Sequence, residues 1–430
     1  KMNEFILFYS RFALSLQKKN RGISLTILMM KKIKIILILF FLCLATNGKG
    51  TPDNNADSIR LSLLTCAPGE EIYSYFGHTA IRYEEPSKGI DWVFNYGIFN
   101  FGAPNFIFRF ALGQTDYILG GMNYDRFAAE YIFDERSVWQ QTLNLTPEEK
   151  QKLLALLIEN SRPENQVYRY NFFYDNCATR PRDKIEESIQ GKVIYNYPEK
   201  DGTKSFRDIV HQYTNGHPWA QFGIDFCIGS EADRPITSRQ MVFAPFYLKN
   251  ALATAKITNN GNERPLVADT ELIINCEDEN SSPAPISIAD IFTPMRSALL
   301  LFIIVAGTSI YGIRKKRGLW GIDLILFGIA GIAGCIIAFL ALFSEHPAVS
   351  SNYLLFVFHP GELIFLPIIV NAARKGRKCW YHMLNCIVLT LFILLFPVIP
   401  QRIDLAVVPL ALSLLIRSAS NLILTYKKTK

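Results

Sequence analysis

Two residues with the means for nucleophilic chemistry stand in distinctive settings. One is His78, in Tyr75-Phe76-Gly77-His78-Thr79-Ala80-Ile81-Arg82; the other is Cys177, in Asn171-Phe172-Phe173-Tyr174-Asp175-Asn176-Cys177-Ala178-Thr179-Arg180. A cysteine attacks as its thiolate, and an imidazole is the side chain suited to taking its proton near neutral pH. Both lie in a stretch of ordinary globular composition that precedes a long apolar region, so the pair points to acyl transfer through a thioester at a membrane surface. The competing reading comes from Cys66, Cys177, Cys227 and Cys276, all in that stretch. In an oxidising compartment four cysteines suggest two disulfides. The expected pair is Cys227 with Cys276, leaving Cys66 and Cys177 as thiols. A paired Cys177 would end the nucleophile reading.

The elements around these residues can be read from pattern. Residues 61–66 form an extended lead-in. Residues 78–83 alternate and end at a polar loop, 84–89, and 90–96 read as the returning strand of a hairpin. With the loop centred near Pro86–Ser87, the residue opposite His78 is about Asn95. That makes Asn95 the candidate to orient the imidazole, with Asp91 second, and the choice depends on register. Thr146-Pro147-Glu148-Glu149 is a helix start, with Thr146 as N-cap and Glu149 completing a capping box, and the helix should run to about Glu159. Cys177 leads into a helical pattern through Ile185 and Ile189, where the positive end of the helix dipole favours thiolate. Pro181 implies that this helix either restarts or kinks there. Between Phe94 and Phe110 lie seven aromatics. They form either an acyl-chain groove, a surface resting on the bilayer, or a core filled beside Gly97, Gly102 and Gly113; core is preferred for most of them. His211 and His217 lack zinc-ligand spacing and read as ordinary surface or core residues.

The whole chain sets the frame. Of its 430 residues half are hydrophobic, with a net charge of +7. The basic residues cluster beside apolar runs, so they speak for membrane orientation rather than nucleic acid. Residues 1–50 read as an upstream extension and a signal peptide. Within them, Met29 or Met30 is the natural-looking start, the preceding 28 residues reading as a mis-assigned start rather than an amphipathic extension. The 35–45 apolar stretch is too short to span a bilayer, which takes about 20 residues. Residues 51–293 form the soluble domain, with a core at about 61–190, and 294–430 a membrane domain. Five spans are expected, roughly 297–313, 319–343, 353–372, 381–399 and 403–426. The intervening segments alternate: Arg314 to Arg317 and Arg374 to Lys378 are basic, whereas 344–352 has no Lys or Arg. By the positive-inside rule the soluble domain lies outside the cytoplasm. His359-Pro360-Gly361-Glu362 interrupts the third span, placing His359 either in a polar cavity or near the outer interface. His346 in the outer loop is placed to touch a lipid headgroup or the soluble domain.

Residues 68–82, Val93-Phe94-Asn95-Tyr96-Gly97 and Asn176-Cys177-Ala178-Thr179-Arg180 resemble the Lnb family of Bacteroidetes, envelope proteins with an N-terminal periplasmic domain and a C-terminal membrane domain. The resemblance covers about 61–187 well and extends to the C-terminus through the order of domains. It implies a lipoprotein N-acyltransferase of the inner membrane. Such an enzyme acylates the α-amino group of the lipidated N-terminal cysteine of a diacylglyceryl lipoprotein; the acyl donor is a glycerolipid, either a separate phospholipid donor or the lipoprotein's own diacylglyceryl group. The His-before-Cys order and the Asn-Cys pair are also similar to circularly permuted NlpC-type papain-like domains. The expected fold is therefore an α+β papain-like domain followed by an all-α membrane domain of five helices. In this reading Cys177 is nucleophile, His78 base and Asn95 orienting residue. Tyr73, Tyr75, Arg180, His346 and His359 are candidates to bind substrate, Arg82 braces structure, and neither cofactor nor metal is needed. A membrane-anchored NlpC-type cell-wall peptidase and a non-enzymatic envelope protein are the alternatives.

Overall fold

The computed structural model describes residues 59–99, 102, 104–276 and 291–426. The expected signal segment falls outside them. Ten strands are described: β1 Arg60–Cys66, β2 His78–Glu85, β3 Ile90–Ile98, β4 Asp116–Asn123, β5 Val138–Leu143, β6 Val167–Arg169, β7 Lys192–Ile194, β8 Lys256–Asn259, β9 Asn262–Pro265 and β10 Val267–Ile274. Seven build one antiparallel sheet in the order β10-β5-β1-β2-β3-β4-β6. The soluble part also carries helices α1 Phe106–Ala111, α2 Tyr124–Phe133, α3 Pro147–Ser161, α4 Thr179–Ser188, α5 Phe206–Tyr213, α6 Pro218–Cys227, α7 Ser238–Met241 and α8 Pro245–Ala253.

The central strands β1 and β2 are buried almost end to end, because both faces of the sheet are covered. On one face Leu64, Cys66, Ala80, Val93 and Val138 pack under Phe127 and Tyr131 of α2. On the other, Leu61, Leu63, Ile81, Phe94 and Tyr96 pack against Leu153 and Leu157 of α3, Ile185 of α4, and Leu248 and Leu252 of α8. Alternation along each strand sends successive side chains to these two layers. The α3 capping box forms as expected, with Glu149 N–H donating to the Thr146 hydroxyl and the Glu149 carboxylate accepting from Thr146 N–H.

The C-terminal part holds α9 Pro294–Arg314, α10 Trp320–Phe343, α11 Pro360–Ile364, α12 Leu366–Lys375, α13 Trp380–Leu395 and α14 Val407–Tyr426. Among the described residues four unbroken helices are long and apolar enough to cross a membrane. The expected third span is not continuous. It runs as a 3-10 turn, Tyr353–Phe356, then α11 and α12 with a break on each side of α11. Pro360, Gly361 and Pro367 remove donors and add freedom at those breaks. The broken segment lies tight on α10. A Cβ at Gly331 would fall 2.5 Å from Leu363 N, and one at Gly334 2.4 Å from His359 N. Inside the bundle Arg417 of α14 donates to Asp323 of α10 at 2.7 Å, both side chains fully buried, and Asn421 joins the same carboxylate.

The soluble domain is fastened to the ends of these helices. Asn352 Nδ2 donates to Phe226 O, Gln401 Nε2 to Ile228 O, and Gly229 N–H to Ala348 O. Behind this contact the fully buried Arg207 holds Asp225 and Asp233, and His211 bonds the same Asp225. His211, read as an ordinary residue, is thus part of a buried ionic clamp.

Candidate active site

His78 opens β2 directly after Gly77. With a φ of +78°, and with any Cβ there falling 2.4 Å from Cys66 O, that position accepts no side chain. The register differs by two residues from the expected one. β2 and β3 pair as Ile81↔Phe94 and Arg82↔Val93, which carried further would set Gly97 across from His78. Asn95 is the diagonal neighbour on the same face, and its side chain still reaches: His78 Nε2 lies 3.1 Å from Asn95 Oδ1. That oxygen only accepts, so Nε2 carries the proton and Nδ1 the free lone pair. Asp91 is engaged elsewhere, accepting from Arg82 Nε and Nη2 at 2.9 and 2.6 Å. Arg82 also donates to Gln140 and lies over the Tyr124 ring, so it is a brace for the sheet.

Cys177 sits two residues ahead of α4. The cap is the preceding asparagine: Asn176 Oδ1 accepts from the N–H groups of Ala178 and Thr179, while its Nδ2 donates to Phe172 O and Phe243 O. Pro181 falls in the first turn of α4, where a missing N–H costs no helical bond, so the helix neither restarts nor kinks. The Cys177 sulfur faces the backbone N–H of Thr79, the residue after His78, and its own N–H. Burial nevertheless pushes the thiol up to about 11, and burial lowers His78 to about 4 against the opposing effect of Asn95. At neutral pH the site therefore holds a thiol and a neutral imidazole, not an ion pair.

Three features that the sequence reading missed complete the surroundings. Gly97, with φ +94° at a bulge between Tyr96 and Ile98, brings the β3 backbone so close that a Cβ there would stand 3.4 Å from Cys177 Cβ. Tyr168 of β6 has a buried hydroxyl with no hydrogen-bond partner among the described residues, 3.9 Å from that same Gly97 position. Tyr117, which pairs across from Tyr168, stacks on Tyr170 at 4.1 Å and extends this aromatic wall. Only an alternating aromatic pattern at Tyr168 and Tyr170 hinted at this, and nothing in the sequence tied it to Cys177. Cys66, paired across from His78, also lies near Cys177 and is pushed up to about 12 by burial.

The remaining candidates scatter. Arg180 pairs with Asp175 at 2.6 Å and covers the Tyr168 ring at 3.6 Å, so it belongs to the site's wall. Tyr73 is exposed and meets Phe99 edge-on. Tyr75 is buried and stacks on His217. His346 bonds Phe110 O at 3.2 Å and so touches the soluble domain. His359 lies in the helical bundle near Tyr381, beside the buried Glu362 carboxyl, which has no partner among the described residues. The expected Cys227–Cys276 disulfide does not form. Cys227 ends α6 on the side facing the helical bundle, whereas Cys276 follows β10 and its N–H donates to Ser137 on the sheet. All four cysteines of the soluble domain are free thiols.

An α/β domain fastened to the ends of long apolar helices defines a membrane protein with a large extramembrane domain. Residues 49–212 match the Lnb N-terminal periplasmic domain and residues 286–429 the Lnb transmembrane domain. The chain belongs to the Lnb family: a membrane protein with a periplasmic domain and a role in lipoprotein maturation. No curated protein and no solved structure matches it.

Proposed function

We propose that the protein is a lipoprotein N-acyltransferase of the inner membrane, with Cys177 as nucleophile, His78 as base and Asn95 as the residue that orients the imidazole. The observation that carries this reading is the His78 Nε2 to Asn95 Oδ1 bond, beside a sulfur that faces the Thr79 N–H. It leaves Nδ1 as the basic nitrogen, on the residue adjacent to the Thr79 N–H that the sulfur faces. The same His–Asn arrangement supports a papain-like ancestry of the domain.

The chemistry runs in two halves. His78 takes the Cys177 proton as sulfur attacks the ester carbonyl of a glycerolipid. The resulting oxyanion is met by the Cys177 N–H at the start of α4 and by the Tyr168 hydroxyl, which has no competing partner among the described residues. The C–O bond breaks, and the alcohol leaves with the proton from His78. The lipoprotein's α-amino group then attacks the thioester, the C–S bond breaks, and the amine's lost proton passes through His78 back to sulfur. The products are a lysolipid and an amide.

The test supplies purified protein with a diacylglyceryl lipopeptide and phosphatidylethanolamine vesicles. The expected result is a gain of one acyl chain on the peptide α-amine, absent with Cys177→Ser or His78→Ala. Acyl gain without added phospholipid would make the lipopeptide's own glyceryl ester the donor. Cleavage of muropeptides without acyl gain would instead establish the peptidase.

A further inference from the structure

Resting on the Cys177 reading, we propose that helix α1 dips into the outer leaflet and opens an aromatic track along which a glycerolipid acyl chain reaches Cys177. Contacts with the spanning helices fix the depth of α1. The Phe108 ring of α1 lies 5.4 Å from Phe339 in the last turns of the spanning helix α10. The segment after α10 is bonded back to α1 and the residues just after it at three points: Glu345 N–H donates to Leu112 O, His346 Nε2 bonds Phe110 O, and Gln114 donates to Glu345. Continuity with the apolar end of α10 sets α1 at the membrane surface.

The exposure of α1 fits that depth and little else. Ile107 is 81% exposed, Phe108 55% and Phe110 43%, whereas the one charged residue, Arg109, is tied to Asp116. A short helix offering large apolar side chains at the headgroup level is the pattern of an interfacial element, with lipid as the occupant of its open face. The area is continuous with the lipid-facing surface of the spans, which argues for the bilayer rather than a second protein.

From α1 the rings run inward in sequence. Phe110 and Phe106 stand 6.3 Å apart, Phe106 and Phe99 5.7 Å, Phe99 and Tyr117 5.2 Å, and Tyr117 and Tyr170 4.1 Å. Tyr117 sits across from Tyr168 in the β4–β6 pairing, and a Cβ at Gly97 would lie 3.9 Å from the Tyr168 hydroxyl and 3.4 Å from Cys177 Cβ. Tyr73, in the turn that precedes β2, borders the track at Phe99. The ligand class is a long acyl chain entering sideways from the leaflet, with its ester delivered at the sulfur.

Two arms test this in nanodiscs of defined phospholipid. A benzophenone amino acid at position 107 should cross-link to phospholipid acyl chains, and no lipid adduct at all would overturn the proposal. In the second arm, the kcat/KM ratio for vesicle phospholipid over a water-soluble short-chain ester should fall at least tenfold in Ile107→Glu/Phe108→Glu. An unchanged ratio overturns it. Failure of the Cys177 reading is seen separately, because wild-type protein would then turn over neither ester while the cross-linking arm still decides where α1 lies.

Discussion

An imidazole whose Nε2 is held by an amide oxygen can act as a base only through Nδ1, and Asn95 imposes that tautomer on His78. Removing the bond in Asn95→Ala should lower kcat/KM about tenfold, the worth of one hydrogen bond, with KM for lipid little changed. Steady-state kinetics at saturating acceptor would measure it. The protonation states make a second prediction. With the thiol pushed up to about 11 and the imidazole down to about 4 by burial, the resting enzyme has little thiolate. Iodoacetamide labelling of Cys177, followed by peptide mapping, should therefore be slow at pH 7 and rise as pH climbs toward the thiol's value. The sign follows from the raised value, since thiolate accumulates only as pH approaches it. A preformed thiolate–imidazolium pair would instead give labelling that is already fast and flat through neutral pH.

Elements place these residues through backbone devices more than through packing. Asn176 caps α4 and fixes Cys177 at its entrance, and Gly97 lets β3 approach the sulfur. Gly97→Ala forces a side chain onto a φ of +94° and should cost about 1–2 kcal/mol, seen as a lower unfolding temperature by intrinsic fluorescence in detergent, together with faster modification of Cys177. Much of this level was legible in the sequence. The hairpin, the α3 capping box and the cysteine at a helix entrance all follow from turn and cap chemistry carried by adjacent residues. The register of the hairpin was not, because a 3-10 turn at Pro86–Lys88 with Gly89 in the left-handed region shifts the centre of the loop. Asn95 survived that error because a two-residue slip keeps a side chain on its face. The link between the tyrosines and Cys177 was illegible, since Tyr117 and Tyr168 meet only through the β4–β6 pairing.

At the scale of the whole molecule, the bundle gives the soluble domain its position and, on the proposed reading, its access to lipid. The four unbroken helices were readable from length and apolarity. The broken segment was only half readable: Pro360 and Gly361 announced an interruption, but not the glycines on α10 that accommodate it. The bundle is also held by the buried Asp323–Arg417 pair. Asp323→Leu strands the guanidinium and should destabilise the protein by about 3–5 kcal/mol, whereas Asp323→Leu/Arg417→Met should recover most of that loss. Thermal unfolding of both variants in one detergent would compare them.

The whole mechanism depends on Cys177 carrying the acyl chain. Intact-mass spectrometry of purified protein incubated with phospholipid and no acceptor, with Cys177→Ser alongside, puts that to the test. A thioester route requires a hydroxylamine-labile gain of one acyl chain on wild type, mapped to Cys177 and absent from the variant. An enzyme that still N-acylates lipopeptide from phospholipid while Cys177 remains a free thiol throughout, or in which Cys177→Ser acquires the same adduct, would contradict it.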